Sequence, residues 1–128
     1  YAKEKARENS GLAQTRMVAY GVSKACVNSY TISLADRAPS LLINSCCPGF
    51  IETDLTRPFA VSRGMKPSDM GMLPVEKGTI SSLYLMMGDL EGDIGDYESG
   101  RFYISDAKRS PLHKTRKAGG PVYQGEFP

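Results

Sequence analysis

The chain has 128 residues, room for one domain and a modest core. Its formal net charge of +2, from 16 basic and 14 acidic residues, is too small to argue for nucleic acid. No apolar run approaches the ~18 residues of a membrane span, which excludes a helical membrane protein over this stretch. The charge is uneven: residues 1–104 hold 11 basic and 12 acidic side chains, and residues 105–128 hold 5 and 2. Cysteines at 26, 46 and 47 have neither metal nor redox spacing, and adjacent Cys46 and Cys47 on a strand would point to opposite faces. Free thiols and no visible signal peptide point to a reducing compartment, the cytoplasm. The first residue is Tyr rather than Met, and the chain reads as a fragment.

Residues 1–18 begin as a charged helical stretch that Ser10-Gly11 interrupts. Residues 19–38 are a helix: Val22, Cys26, Tyr30 and Leu34 recur every four residues, Ala25, Val27 and Ala35 widen the apolar face, and Pro39 ends it. Tyr20 and Lys24 stand one turn apart on this helix. An ammonium fixed beside a phenol favours the phenolate, so a Tyr so placed can act as general acid toward a carbonyl oxygen near neutral pH. The plain alternative is a half-exposed Tyr beside a solvated Lys. Small neighbours (Ala19, Gly21, Ser23, Ala25) leave room for a ligand against the helix.

Leu41 to Cys47 is a strand whose near-continuous apolar character suits a parallel strand covered on both faces. Asn44 is its polar exception and needs a partner if buried. Pro48-Gly49 closes it at the carboxyl end, where open α/β sheets bind ligands, and Gly lets a flat ring approach the main chain. Thr53 follows as either a ligand-facing hydroxyl or a cap. Residues 55–73 lack periodicity and hold Phe59, Met65, Met70 and Met72, as either a lid of adaptable apolar side chains or a loop covering its own core.

Pro74-Val75-Glu76 opens a helix to about Met87, with Ile80, Leu83, Tyr84 and Met87 on one face. In the acidic stretch that follows, Asp89, Glu91 and Asp93 imitate the first ligands of a calcium loop. Ile94 and Gly100 stand where Gly and Glu are required, so calcium is rejected and no metal is expected. Residues 100–105 form a short last strand. Residues 106–128 read as a flexible basic tail, and His113 within it as a solvated side chain.

Strand, helix and strand over 41–47, 74–87 and 101–104 make one βαβ crossover. The fold class is α/β, the C-terminal part of a Rossmann-type doubly wound parallel sheet. No Gly-rich phosphate loop appears in the chain.

YGVSKA (20–25), the strand ending CCPG and PGFIETD, with Thr53 four residues after Gly49, together resemble the short-chain dehydrogenase/reductase family, and within it the carbonyl reductases. The resemblance runs through about residues 12–105. It implies residues 1–105 as part of an NAD(P)-binding domain, with Tyr20 as proton donor and Lys24 as its partner, also holding the nicotinamide ribose. It further implies that Pro48, Gly49, the backbone of Ile51 and Thr53 place the carboxamide. Phe50 and the 55–73 loop would shape the pocket. The implied cofactor is NADPH and the substrate a small-molecule carbonyl compound, with no nucleic acid or membrane partner. Arg7 and Glu8 occupy the zone of the family's catalytic Ser. Residues 1–18 therefore look like the end of the carbonyl reductases' helical insertion, lying over the Tyr20 helix and keeping the protein a monomer. The alternative is a catalytically inactive piece that at most packs against a partner.

Overall fold

In the computed structural model, which describes residues 2–88, 98–112 and 114–125, Ala2–Arg37 forms one helix, α1, of 36 residues. The interruption expected at Ser10-Gly11 does not occur. An interior Gly costs a helix about 1 kcal/mol relative to Ala, which weakens the ladder without breaking it. The Thr15 hydroxyl also bonds the Gly11 carbonyl at 2.9 Å, tying that turn together. Residues 2–18 thus continue the Tyr20 helix and do not fold back over it as the insertion reading expected. The helix stops where Pro39 biases Ala38 away from helical backbone, with a closing turn from the Leu41 N–H to the Ala38 carbonyl at 3.0 Å.

The apolar periodicity of α1 gives the right element but not a covered face. Val22, Val27 and Tyr30 are each more than half exposed. Ala35, in the last turn, is buried against Gly100, where an added Cβ would meet the Ala35 Cβ at 3.4 Å.

The sheet is parallel and two-stranded: β1 (Ser45–Cys46) pairs with β2 (Phe102–Tyr103) in the register Ser45 to Phe102 and Cys46 to Tyr103. Parallel pairing of two strands separated by a helix is the expected βαβ arrangement, part of a Rossmann-type sheet. The strand is shorter than the apolar run 41–47 because side chains share the ladder with the backbone before Ser45, where the Gly100 N–H still bonds the Ile43 carbonyl at 2.7 Å. The Ser99 hydroxyl accepts from the Ile43 N–H at 3.0 Å, and Asn44 Oδ1 accepts from the Arg101 N–H at 2.7 Å. Asn44, half-buried, therefore has a partner. Leu41 and Leu42 are exposed, so the two-faced cover expected of this run is not present among the described residues.

After β1 the chain is less irregular than its composition implies. Residues 55–73 contain a short helix, α2 (Arg57–Val61), with Pro58 in its first turn, and a 3-10 turn at Ser68–Met70. Ala60 and Met72 are buried, whereas Phe59 and Met65 stay exposed, so the segment serves partly as its own cover. The helix expected over 74–87 divides into a 3-10 turn, Val75–Thr79, and α3, Ile80–Met87. The tighter first turn seats Gly78 against Ile51, where an added Cβ would lie 3.1 Å from the Ile51 side chain. The inward face of α3 carries Ser81, Tyr84 and Leu85 instead of Met87, which is exposed. The Tyr84 ring meets the Tyr103 ring at 5.9 Å, docking α3 on the sheet. The acidic stretch with Asp89, Glu91 and Asp93 and the residue His113 lie outside the described residues.

Beyond β2 the described residues contain no further helix or strand, but they turn back over it. Ser110 is buried and its N–H bonds the Phe102 carbonyl at 2.8 Å. The Arg116 guanidinium bonds Asp106, the Arg109 carbonyl at 2.8 Å and the Gly120 carbonyl at 3.1 Å. No helix among the described residues is long and apolar enough to cross a membrane.

Candidate active site

The predicted site residues fall into two groups. The first is on α1, where the Lys24 Nζ lies 5.4 Å from the centroid of the Tyr20 ring. The ammonium stands over the ring face, a contact worth about 0.5–1 kcal/mol at an exposed site. Tyr20 is 56% exposed, and its hydroxyl has no hydrogen-bond partner among the described residues. Ser23 turns its own hydroxyl back to the Tyr20 carbonyl at 2.7 Å, so it does not compete for the phenol. A Cβ added at Gly21 would meet nothing within 4 Å, leaving open space beside the pair. The arrangement can present a phenol and a cation to one ligand.

The second group is the turn from Pro48 to Thr56 at the carboxyl end of β1. Gly49 has φ of +92°, and a Cβ there would lie 3.1 Å from the Ser105 Cβ. Both facts require Gly. Ile51 is buried and forms a single parallel bridge with Leu73: the Leu73 N–H bonds the Phe50 carbonyl and the Glu52 N–H the Leu73 carbonyl, each at 2.8 Å. This leaves the Ile51 N–H without a hydrogen-bond partner among the described residues. Phe50 is 39% exposed beside it.

Thr53 is half-buried, and Thr56 organises it. The Thr56 Oγ1 accepts from the Thr53 N–H at 2.9 Å, contacts the Thr53 Oγ1 at 3.2 Å and donates to the Ile51 carbonyl at 2.5 Å. Arg57 brackets Thr53 by ion pairs to Glu52 at 3.2 Å and Asp54 at 2.7 Å. Its guanidinium is held above its ordinary pKa by the hydrogen bond to Glu52 first and that to Asp54 second. All three side chains are well exposed, so these pairs add little stability.

Residue spacing did not point to Thr56 or Gly78. A Thr-x-x-Thr sequence just before a Pro-led helix is the signal that marks the first, since such hydroxyls bond nearby backbone. No hydrogen bond, ion pair or ring contact joins the Tyr20 pair to the Pro48–Thr56 turn among the described residues. An unspent N–H on Ile51 and a hydroxyl two residues on offer the two hydrogen bonds that a flat amide needs, so the turn fits a nicotinamide group.

Comparison with known proteins finds similar chains among dehydrogenases and reductases. Short-chain dehydrogenase/reductase 1 from Saponaria officinalis is 39% identical over 85 residues, 66% of this chain and 23% of its own length. The chain is a relative of the short-chain dehydrogenases/reductases. (+)-Neomenthol dehydrogenase from Arabidopsis thaliana is 38% identical over 71 residues, covering 56% of this chain and 20% of that protein. Carbonyl reductase (NADPH) 3 from Rattus norvegicus is 36% identical over 75 residues, 54% of this chain and 23% of its own. The chain spans about a fifth of the length of these short-chain dehydrogenase/reductase relatives. No family model and no solved structure matches it.

Proposed function

We propose that this chain carries part of the active site of an NADPH-dependent reductase of ketones, aldehydes or quinones. The observation that carries the reading is the Tyr20–Lys24 pair, one turn apart on an exposed helix face with the phenol hydroxyl unengaged. NADPH, when bound, supplies the hydride. Tyr20 donates its proton to the carbonyl oxygen, completing the alcohol. Lys24 sets a positive charge beside the phenoxide left behind and bonds the ribose hydroxyls. The Ile51 N–H and the Thr53 hydroxyl hold the carboxamide, and Pro48 and Gly49 shape the turn that brings them there. Phe50, with Phe59 and Met65, gives apolar contact to the substrate. Both Phe59 and Met65 are exposed in the segment after the turn, which supports that role. The name carbonyl reductase (NADPH) 3 among the relatives supports the cofactor. Three free thiols support a reducing, cytoplasmic setting.

The test is Tyr20→Phe in the protein expressed from the full reading frame that encodes this chain. Turnover of a panel of ketones, aldehydes and quinones should fall ~10²–10⁴-fold, the usual worth of general acid catalysis, with NADPH affinity near normal. Lys24→Ala should damage both. Wild-type turnover by Tyr20→Phe would refute the role.

A second reading, a piece that is inactive by itself and acts by packing, draws support from the exposure of Val22, Tyr30, Leu41 and Leu42. Carbonyl turnover with NADPH by the 128-residue chain alone would exclude it.

A further inference from the structure

We propose that Thr56 is a positioning residue that fixes the hydrogen-bond polarity of Thr53, making the turn accept a primary carboxamide and reject a carboxylate. The inference rests on the reading of this turn as the nicotinamide seat. Its basis is a donor count. A Thr hydroxyl has one proton to give and two lone pairs to receive with. Thr56 Oγ1 has two carbonyls in reach, Ile51 at 2.5 Å and Thr53 at 3.3 Å, and the nearer takes the proton. One lone pair receives the Thr53 N–H at 2.9 Å. The remaining contact, 3.2 Å to Thr53 Oγ1, then has only one sense: Thr53 donates its hydroxyl proton to Thr56.

With that proton spent inward, Thr53 can face a ligand only with lone pairs. It is an acceptor. Ile51, two residues earlier, has its carbonyl committed to Thr56 and its N–H unspent. The turn therefore offers one donor and one acceptor, the complement of a carboxamide: the C=O takes the Ile51 N–H and the NH₂ gives to Thr53 Oγ1. A carboxylate of the same shape satisfies the first contact and opposes lone pair to lone pair at the second. Bringing an ionised acceptor there leaves a polar group unpaired, which disfavours it.

The test compares binding of NADP and of its nicotinic-acid analogue, which has a carboxylate for the carboxamide, by calorimetry on the protein expressed from the full reading frame. Wild type should prefer the carboxamide at least about tenfold. Thr56→Val keeps the shape, frees the Thr53 proton to point outward, and should cut the preference to within about threefold. Thr56→Ser, which keeps the hydroxyl, should retain it. If Thr56→Val does not fold by circular dichroism, Thr53→Val decides, since removing the acceptor itself must abolish the same preference. Wild type that binds neither nucleotide overturns the cofactor reading and this assignment with it. Wild type that binds both nucleotides equally, or a Thr56→Val protein that keeps the preference, overturns the assignment of Thr56 alone; a Thr53→Val protein that keeps it overturns the Thr53 contact to the carboxamide and the Thr56 assignment with it.

Discussion

Arg116→Ala should unclasp the segment that turns back over β2. The Arg116 side chain is only 9% exposed and its partner Asp106 20%. Removing one member of a buried pair costs about 3–5 kcal/mol when the other is left without compensation. Here Asp106 keeps the Lys108 N–H at 3.1 Å and the Gly119 N–H at 2.8 Å, so its charge stays partly compensated. The loss should therefore fall below that range, to about 2–3 kcal/mol. The amides of Gly119 and Lys108 report on it directly by native-state hydrogen exchange. At 1.4 kcal/mol per tenfold, their exchange should speed up by about 30–150-fold. Exchange within threefold of wild type would refute the clasp. The pH dependence has a definite sign. Burial alone would raise the Asp106 pKa, but the Arg116 bond, helped by the N–H groups of Gly119 and Lys108, holds it below its ordinary value. A carboxyl with a depressed folded pKa contributes stability in full above its unfolded value, ~3.9, and loses it as pH falls through the folded value. Arg116→Ala should move that loss to higher pH.

Ser81→Ala should raise stability by about 1–2 kcal/mol, because the Ser81 hydroxyl is fully buried on α3 with no hydrogen-bond partner. A urea midpoint that falls would show that the hydroxyl has a partner in solution. Gly49→Ala forces a Cβ at φ +92° to within 3.1 Å of Ser105, so it should destabilise by about 1–3 kcal/mol and weaken nucleotide binding; unchanged binding would show that the turn is not the seat. Gly21→Ala adds a methyl in open space on a helix and should raise helicity, by about 0.5–1 kcal/mol, as read by circular dichroism; no gain would mean that α1 is not helical at that position.

What could be read from the sequence is what depends on local chemistry. Pro39 stops α1 and Pro74 starts the turn before α3 because each restricts its own and its neighbour's backbone, wherever the chain sits. Asn44 announced a partner because a polar side chain in an apolar strand needs one where it is covered; it is half-buried, and Arg101 supplies the bond. Burial was less legible. The Val22–Tyr30 face has helical period, but period says only that a face is apolar, not that this chain holds its cover. Met87 lost its inward place to Ser81 because the chain enters α3 through a 3-10 turn, which rotates the helix relative to a start at Pro74. That turn is shaped by the approach of Gly78 to Ile51, a long-range contact with no signature at either residue.

The candidate site divides the same way. Tyr20 and Lys24 share a helix face whatever the rest of the fold does, so a spacing of four residues suffices to find them. Gly49 is legible because only Gly tolerates its backbone, and its closeness to Ser105 adds a second reason that lay across the sheet. Thr56 carries no motif of its own; standing before a Pro-led helix, its hydroxyl would most simply cap that helix. In the structure it makes no side-chain cap bond to α2; its oxygen is saturated by Ile51 and Thr53 instead. The hydroxyl that looks most replaceable in the turn thus decides which of its neighbours can give a hydrogen bond and which can only receive one. A motif reading names the groups that face a ligand, but the sense of their hydrogen bonds is set one residue deeper, by where each proton is already spent.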